Sequence, residues 1–129
     1  MLEVGGGTAS ATLPLLQALS HQGQSLVAQY DFTDLSIAFF PAARERLAQY
    51  GHVANYEAFD IAQPPEPQGL EPGSYDVVIA CNVVHATPNT ASSLENIRQL
   101  LRPGGTLILM EITKPELYYQ LVFGSLSWW

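Results

Sequence analysis

At 129 residues the chain is long enough for one domain with a core, and its 47% hydrophobic content is ordinary for a globular protein. Five Lys and Arg against twelve Asp and Glu give a net charge of -7, which repels phosphate backbones and anionic lipid surfaces and speaks against nucleic acid and membrane as partners. Cys81 is the only cysteine, so an intramolecular disulfide and a cysteine-based metal cluster are excluded, and with no membrane-length apolar run or signal-peptide pattern a reducing, cytoplasmic setting is expected.

Along the chain, apolar strand-like stretches alternate with helical ones, the pattern of a parallel sheet covered by helices. Residues 2–4 form a first strand stub that runs into Gly5-Gly6-Gly7-Thr8. Gly5 and Gly7 lack Cβ, so the chain can reverse there with a ligand close to its backbone. A helix is expected from about residues 8–10, with Ala11, Leu15, Leu16 and Leu19 on its apolar face, Pro14 near its first turn and an end near Gly23. Taken alone the triplet is a plain turn; the Gly-x-Gly-x-x-Gly dinucleotide spacing fails, since Ser10 stands at the last position.

Residues 25–33 read as a second strand ending in Asp34, followed by a helix capped by Ser36, running through Ala43 and Leu47 to Tyr50 and closed by Gly51. Residues 53–59 read as a third strand ending in Asp60. A loop over residues 63–74 carries Pro64, Pro65, Pro67 and Pro72 and has the look of a surface connection. Residues 75–80 are apolar enough for a central strand. Residues 92–101 read as a helix stopped by Pro103-Gly104-Gly105, and residues 106–112 as a fifth strand. Residues 117–126 suit either a helix or a lid segment.

In a doubly wound sheet, ligand contacts gather at the carboxyl ends of the strands. Glu3, Asp34, Asp60, Asn82 with His85, and Glu111 with Thr113 all fall at such predicted ends. Each has a plainer reading as a cap, turn or surface residue. Polar residues at every one of the ends favour a nucleoside: Asp34 matches a ribose diol with its two oxygens, and Asp60 is an acceptor for the exocyclic amine of an adenine.

Five segments then carry a resemblance: Glu3-Val4-Gly5-Gly6-Gly7-Thr8, Phe32-Thr33-Asp34-Leu35-Ser36, residues 75–87 with Asn82-Val83-Val84-His85-Ala86-Thr87, Leu101-Arg102-Pro103-Gly104-Gly105, and Glu111-Ile112-Thr113. Together they resemble class I S-adenosylmethionine-dependent methyltransferases, and more narrowly the C-methyltransferase domain of reducing polyketide synthases. The resemblance implies an α/β, Rossmann-like, doubly wound and mostly parallel sheet, truncated after the fifth strand. Residues 1–129 would be a partial core lacking N-terminal lid helices and the last two strands. Ala9 and Ser10 replace two glycines usual in the family and are expected to add bulk near the cofactor.

By the same resemblance, S-adenosyl-L-methionine is the cofactor. Glu3, Gly5 and Gly7 would hold its methionine part and close backbone, Asp34 its ribose and Asp60 its adenine, with Asn82 beside the sulfonium. His85 would be the general base and Glu111 its partner, with no metal required. The implied substrate is a β-ketoacyl chain on an acyl carrier protein, within a synthase of further domains that makes secondary metabolites. Its α-carbon would lose a proton and the enolate would attack the methyl in line. Three readings compete: an inactive structural remnant, a small-molecule O- or N-methyltransferase, and a nicotinamide oxidoreductase, the last opposed by the glycine spacing and Glu3.

Overall fold

Side chains along the central strands alternate between the two faces of a sheet with a period of two. In β1 (Leu2–Val4), Leu2 and Val4 enter one apolar cluster while Glu3 faces the opposite layer. In β4 (Tyr75–Cys81), Val78 and Ala80 join that first cluster and Ile79 the second. The computed structural model describes residues 1–22 and 24–114. With β2 (Tyr30–Asp34), β3 (Ala54–Ala58) and β5 (Leu101–Met110), these strands build one five-stranded sheet in the order β3-β2-β1-β4-β5, every pairing parallel.

Helices cover both faces. Leu16 of α1 (Thr12–Ala18) and Phe40 and Ala43 of α2 (Phe40–Arg46) pack with Tyr30, Phe32 and Ile79. Ile97 and Leu100 of α3 (Thr90–Leu100) pack on the other side with Leu2, Val4, Val78 and Ala80. The expected doubly wound parallel sheet is therefore present, with its order reversing beside β1, the topological position at which such sheets open a crevice.

Several local expectations are corrected. The first helix starts at Thr12, not near residues 8–10, because Ala9 has φ +60°, a left-handed conformation that a right-handed helix cannot include. Pro14 thus falls in the first turn of α1, where its missing N–H has no intrahelical partner to lose. The second strand begins at Tyr30. Ahead of it lie a two-residue pairing of Ser20–His21 with Gln24–Ser25 and a turn in which the Ser25 hydroxyl meets both Val27 N–H and C=O at 3.1 Å.

Ser36 makes no side-chain cap. A 3-10 turn, Ile37–Phe39, precedes α2, and a second, Ala48–Tyr50, replaces its expected final turns. Asn89 caps α3 instead, its Oδ1 accepting from Ser92 N–H at 3.1 Å, so that helix starts two residues early. Pro103-Gly104-Gly105 does not separate α3 from the fifth strand: β5 begins at Leu101, and the triplet sits in an irregularity between the Tyr75–Leu101 and Val77–Thr106 pairs. Phe40 is buried and Phe39 exposed, while the expected helix or lid at residues 117–126 lies outside the described residues. Among the described residues no helix is long and apolar enough to cross a membrane.

Candidate functional site

The glycine turn leaves β1 with Gly5 at φ +67°, and a Cβ added there would lie 2.4 Å from Val83 Cγ2. Gly5 is therefore fixed both by its backbone and by the approach of the segment after β4. Gly6, which the sequence pattern did not single out, has no room either, since a Cβ would meet the Phe32 ring at 2.3 Å. Gly7 differs: among the described residues nothing lies within 4 Å of its hypothetical Cβ. Among those residues the turn is packed against protein at two positions and open at the third. The Ala9 methyl is fully buried in the α1–α2 cluster, so it adds bulk to the core and not to this opening.

Asp34, at the end of β2, is bound to that turn. Its Oδ2 accepts from Gly7 N–H at 2.9 Å and its Oδ1 from Ser36 N–H at 2.8 Å. Each oxygen of a carboxylate has a second lone pair for a further donor. Glu3 is placed differently from the strand-end position the sequence suggests: it is the middle residue of β1, buried between the sheet and α1. Its Oε2 accepts from Thr12 Oγ1 at 2.6 Å and Tyr30 Oη at 2.8 Å. Burial raises the Glu3 pKa above its ordinary value, and the two hydroxyl donors only partly oppose that.

Asp60 follows β3 and forms a small turn, its Oδ1 accepting from Ala62 N–H at 2.9 Å. Its backbone N–H and C=O are both taken by the Gln68 side chain, at 2.8 and 3.0 Å. Gln68 gave no signal in the sequence beyond being a polar residue among prolines.

The remaining three predicted residues meet between the ends of β4 and β5. Asn82 has φ +51°, a conformation Asn tolerates better than most residues, and its Oδ1 accepts from Ile112 N–H at 3.1 Å. Glu111 lies just past β5. Its Oε1 accepts from Val83 N–H at 3.1 Å and Val84 N–H at 2.7 Å, while its Oε2 contacts His85 Nδ1. The His85 side chain, in a 3-10 turn over Val84–Ala86, retains 30% of its exposure and Glu111 18%. A carboxylate at Nδ1 favours the tautomer with hydrogen on that nitrogen, leaving basicity at Nε2. The fold thus joins Gly7 to Asp34 and His85 to Glu111, and keeps Asn82 beside the latter pair. Glu3 and Asp60 take their hydrogen bonds from other partners.

Acidic groups reach the next residue too: burial, then Glu3 and Glu111, raise the Cys81 pKa and keep it a neutral thiol. A cavity of about 780 Å3 lies toward the opposite, amino end of the strands, lined by residues such as Met1, Gln29, Asp31 and Tyr75, and includes none of the candidate site residues. No group of three potential metal ligands occurs among the described residues.

The sequence matches a methyltransferase domain family over residues 2–107. It is 79% identical over 130 residues to highly reducing polyketide synthase 40 of Fusarium pseudograminearum, covering 100% of this chain and 5% of that protein. Identity to the squalestatin tetraketide synthase of a Phoma species is 48% with the same coverage. Among solved structures, the trans-methyltransferase CalH in complex with SAH superposes with a TM-score of 0.94 at 42% identity, covering 99% of this chain and 36% of that one. The CMeT domain of the citrinin polyketide synthase gives a TM-score of 0.87 at 37% identity, covering 99% and 32%.

Proposed function

Because the chain belongs to the methyltransferase domain family, we propose that it is the core of an S-adenosylmethionine-dependent carbon methyltransferase of a polyketide synthase. It spans 5% of the synthase from Fusarium pseudograminearum and about a third of the two solved structures, so the activity belongs to a longer assembly. The residues present fit the cofactor. Gly7 leaves room against the backbone, and Asp34 keeps acceptor capacity for ribose hydroxyls after binding Gly7 and Ser36. Glu3, Gly5 and Gly7 would serve the methionine part, Asp60 the adenine and Asn82 the sulfonium end. Glu3 would do so from behind the turn, where Thr12 and Tyr30 hold its carboxyl group.

When bound, S-adenosylmethionine supplies an electrophilic methyl group. His85 Nε2 takes the proton from the α-carbon of a β-ketoacyl chain, and Glu111 at Nδ1 orients the ring and stabilises the imidazolium that forms. The electron pair left on that carbon, shared with the two carbonyls, is the nucleophile. The substrate is carried on an acyl carrier protein, and the other synthase domains are the chain's partners.

The observation that carries this reading is the Glu111 carboxylate bridging His85 and the Val83–Val84 backbone. A methyl-transfer assay on a β-ketoacyl carrier protein tests it, with the position of the new methyl read by mass spectrometry and NMR. Methylation at the α-carbon is expected, and a product methylated on oxygen or nitrogen overturns the carbon-methyltransferase assignment.

A further inference from the structure

The proline-rich segment after Asp60, which reads in sequence as a surface connection, ends in a side chain that grips Asp60 by its backbone. Phe59 N–H still bonds Asp34 C=O at 3.1 Å, continuing the β2–β3 ladder. Backbone alternation turns the next residue's groups toward the outer side, where β3 is an edge strand with no neighbour among the described residues. Gln68 fills that role: Oε1 accepts from Asp60 N–H at 2.8 Å, and Nε2 donates to Asp60 C=O and Pro64 C=O, each at 3.0 Å. The amide orientation is forced, since a backbone N–H requires the oxygen and carbonyls require the NH2.

The intervening residues aim this grip. Pro65 leads into a 3-10 turn, Glu66–Gln68, which contains Pro67 and ends at Gly69 with φ +89°; Leu70 then returns to the core. Fixing the Asp60 backbone fixes its carboxylate, with Oδ1 on Ala62 N–H and, among the described residues, no donor to Oδ2. We propose that Gln68 is a positioning residue for base recognition: it holds Asp60 in the conformation in which its carboxylate accepts the exocyclic amine of adenine. This rests on the cofactor reading above and adds the residue that sets its base selectivity.

Loss of Gln68 leaves the loop anchored, because Asn96 Nδ2 donates to Ile61 C=O at 3.0 Å and Phe59, Ile61 and Leu70 remain buried. The Gln68→Ala variant is therefore expected to fold. Calorimetric titration of the complete methyltransferase domain with S-adenosylhomocysteine and S-inosylhomocysteine tests the role, because hypoxanthine presents a carbonyl where adenine presents the amine. The unaltered domain should prefer the adenosine compound. Gln68→Ala should reduce that preference about tenfold, as for one hydrogen bond to a charged group. Gln68→Glu, of the same shape but without the NH2 donor, should do the same. A preference unchanged in Gln68→Ala, or equal weakening of both compounds, overturns the proposal. Preference kept in Gln68→Glu but lost in Gln68→Ala would show that the NH2 grip on Asp60 C=O does not position the carboxylate, and overturns the proposal as well. Binding of neither compound by the unaltered complete domain overturns the cofactor reading itself and this inference with it.

Discussion

Glu111 holds His85 and the backbone beside it at once: one carboxylate oxygen meets Nδ1 while the other accepts from Val83 and Val84 N–H. One side chain, just past the end of the neighbouring strand, therefore contacts both the ring and the segment that carries it. Glu111→Gln separates the two tasks. Its carbonyl oxygen can keep the backbone bonds, but its amide nitrogen can only donate to Nδ1, which selects the tautomer with hydrogen on Nε2 and no base there. In the complete synthase domain, kcat should fall roughly 100- to 10,000-fold while cofactor affinity stays close to that of the unaltered protein. His85→Ala should match it in both respects. Rapid-quench methyl transfer and calorimetry on the same samples measure the two quantities.

Asp34 is expected to show the opposite division. Asp34→Ala removes the acceptor of Gly7 and Ser36 N–H together with the proposed ribose contact. The dissociation constant for S-adenosylhomocysteine should rise roughly tenfold to a hundredfold, by the worth of one charge-assisted hydrogen bond. With cofactor saturating, kcat should recover most of its value. A calorimetric affinity equal to that of the unaltered chain would remove Asp34 from the cofactor site.

What the sequence carried, it carried through periodicity and through strand ends. Apolar runs such as Val77-Val78-Ile79 located the central strand, and counting strand ends put His85 and Glu111 just past the ends of β4 and β5, which pair in parallel register. What it lacked depends on long-range partners. Nothing local showed that Gln68 reaches back eight residues to Asp60, or that Tyr30 and Thr12 enclose Glu3. The late start of α1 was hidden because Ala9 adopts a conformation that its identity argues against. The continuation of β5 through Pro103-Gly104-Gly105 was hidden because a bulge and a stop share the same residues.

The amino end of the sheet makes a separate prediction about stability. Asp31, almost fully buried, accepts from Gln29, Asn55 and Tyr75, drawing β2, β3 and β4 together. Burial and the Asp31 carboxylate both raise the Tyr75 pKa. Tyr75→Phe should cost about 1 to 2 kcal/mol, the net worth of one such bond, and Asp31→Ala about 3 kcal/mol because it strands several donors. Urea unfolding of the two variants measures the difference, and equal losses would show that the network is not centred on Asp31.

Ala9 gives a finer test of backbone strain. Replacing it with Gly relieves a left-handed φ that costs about 1 to 2 kcal/mol, but removes a buried methyl worth about 0.8 kcal/mol and frees the unfolded chain. The terms nearly cancel, so Ala9→Gly should change stability by less than about 1 kcal/mol. Ala9→Val adds volume to a packed cluster and places a β-branched residue at positive φ, so it should lower the melting temperature clearly.

The last prediction concerns pH. Glu3 is a carboxylate whose folded-state pKa lies above its unfolded value of 4.5, with burial as the main cause. Folding therefore favours its protonated form: its stabilising contribution is complete below about pH 4.5 and is lost as pH rises through the folded pKa. Raising the pH toward neutral therefore works against folding through this group. Glu3→Gln keeps an oxygen for Thr12 and Tyr30 without the charge. The variant should melt above the unaltered chain at pH 7, and the gap should shrink as pH falls toward 4.5. If Glu3 also supplies charge to the methionine end of the cofactor, the same variant binds S-adenosylmethionine more weakly while being the more stable protein. Thermal melts across pH, with and without the cofactor, resolve both signs. A variant less stable at pH 7 would mean that its hydroxyl partners, and not its desolvation, dominate the carboxylate's energy.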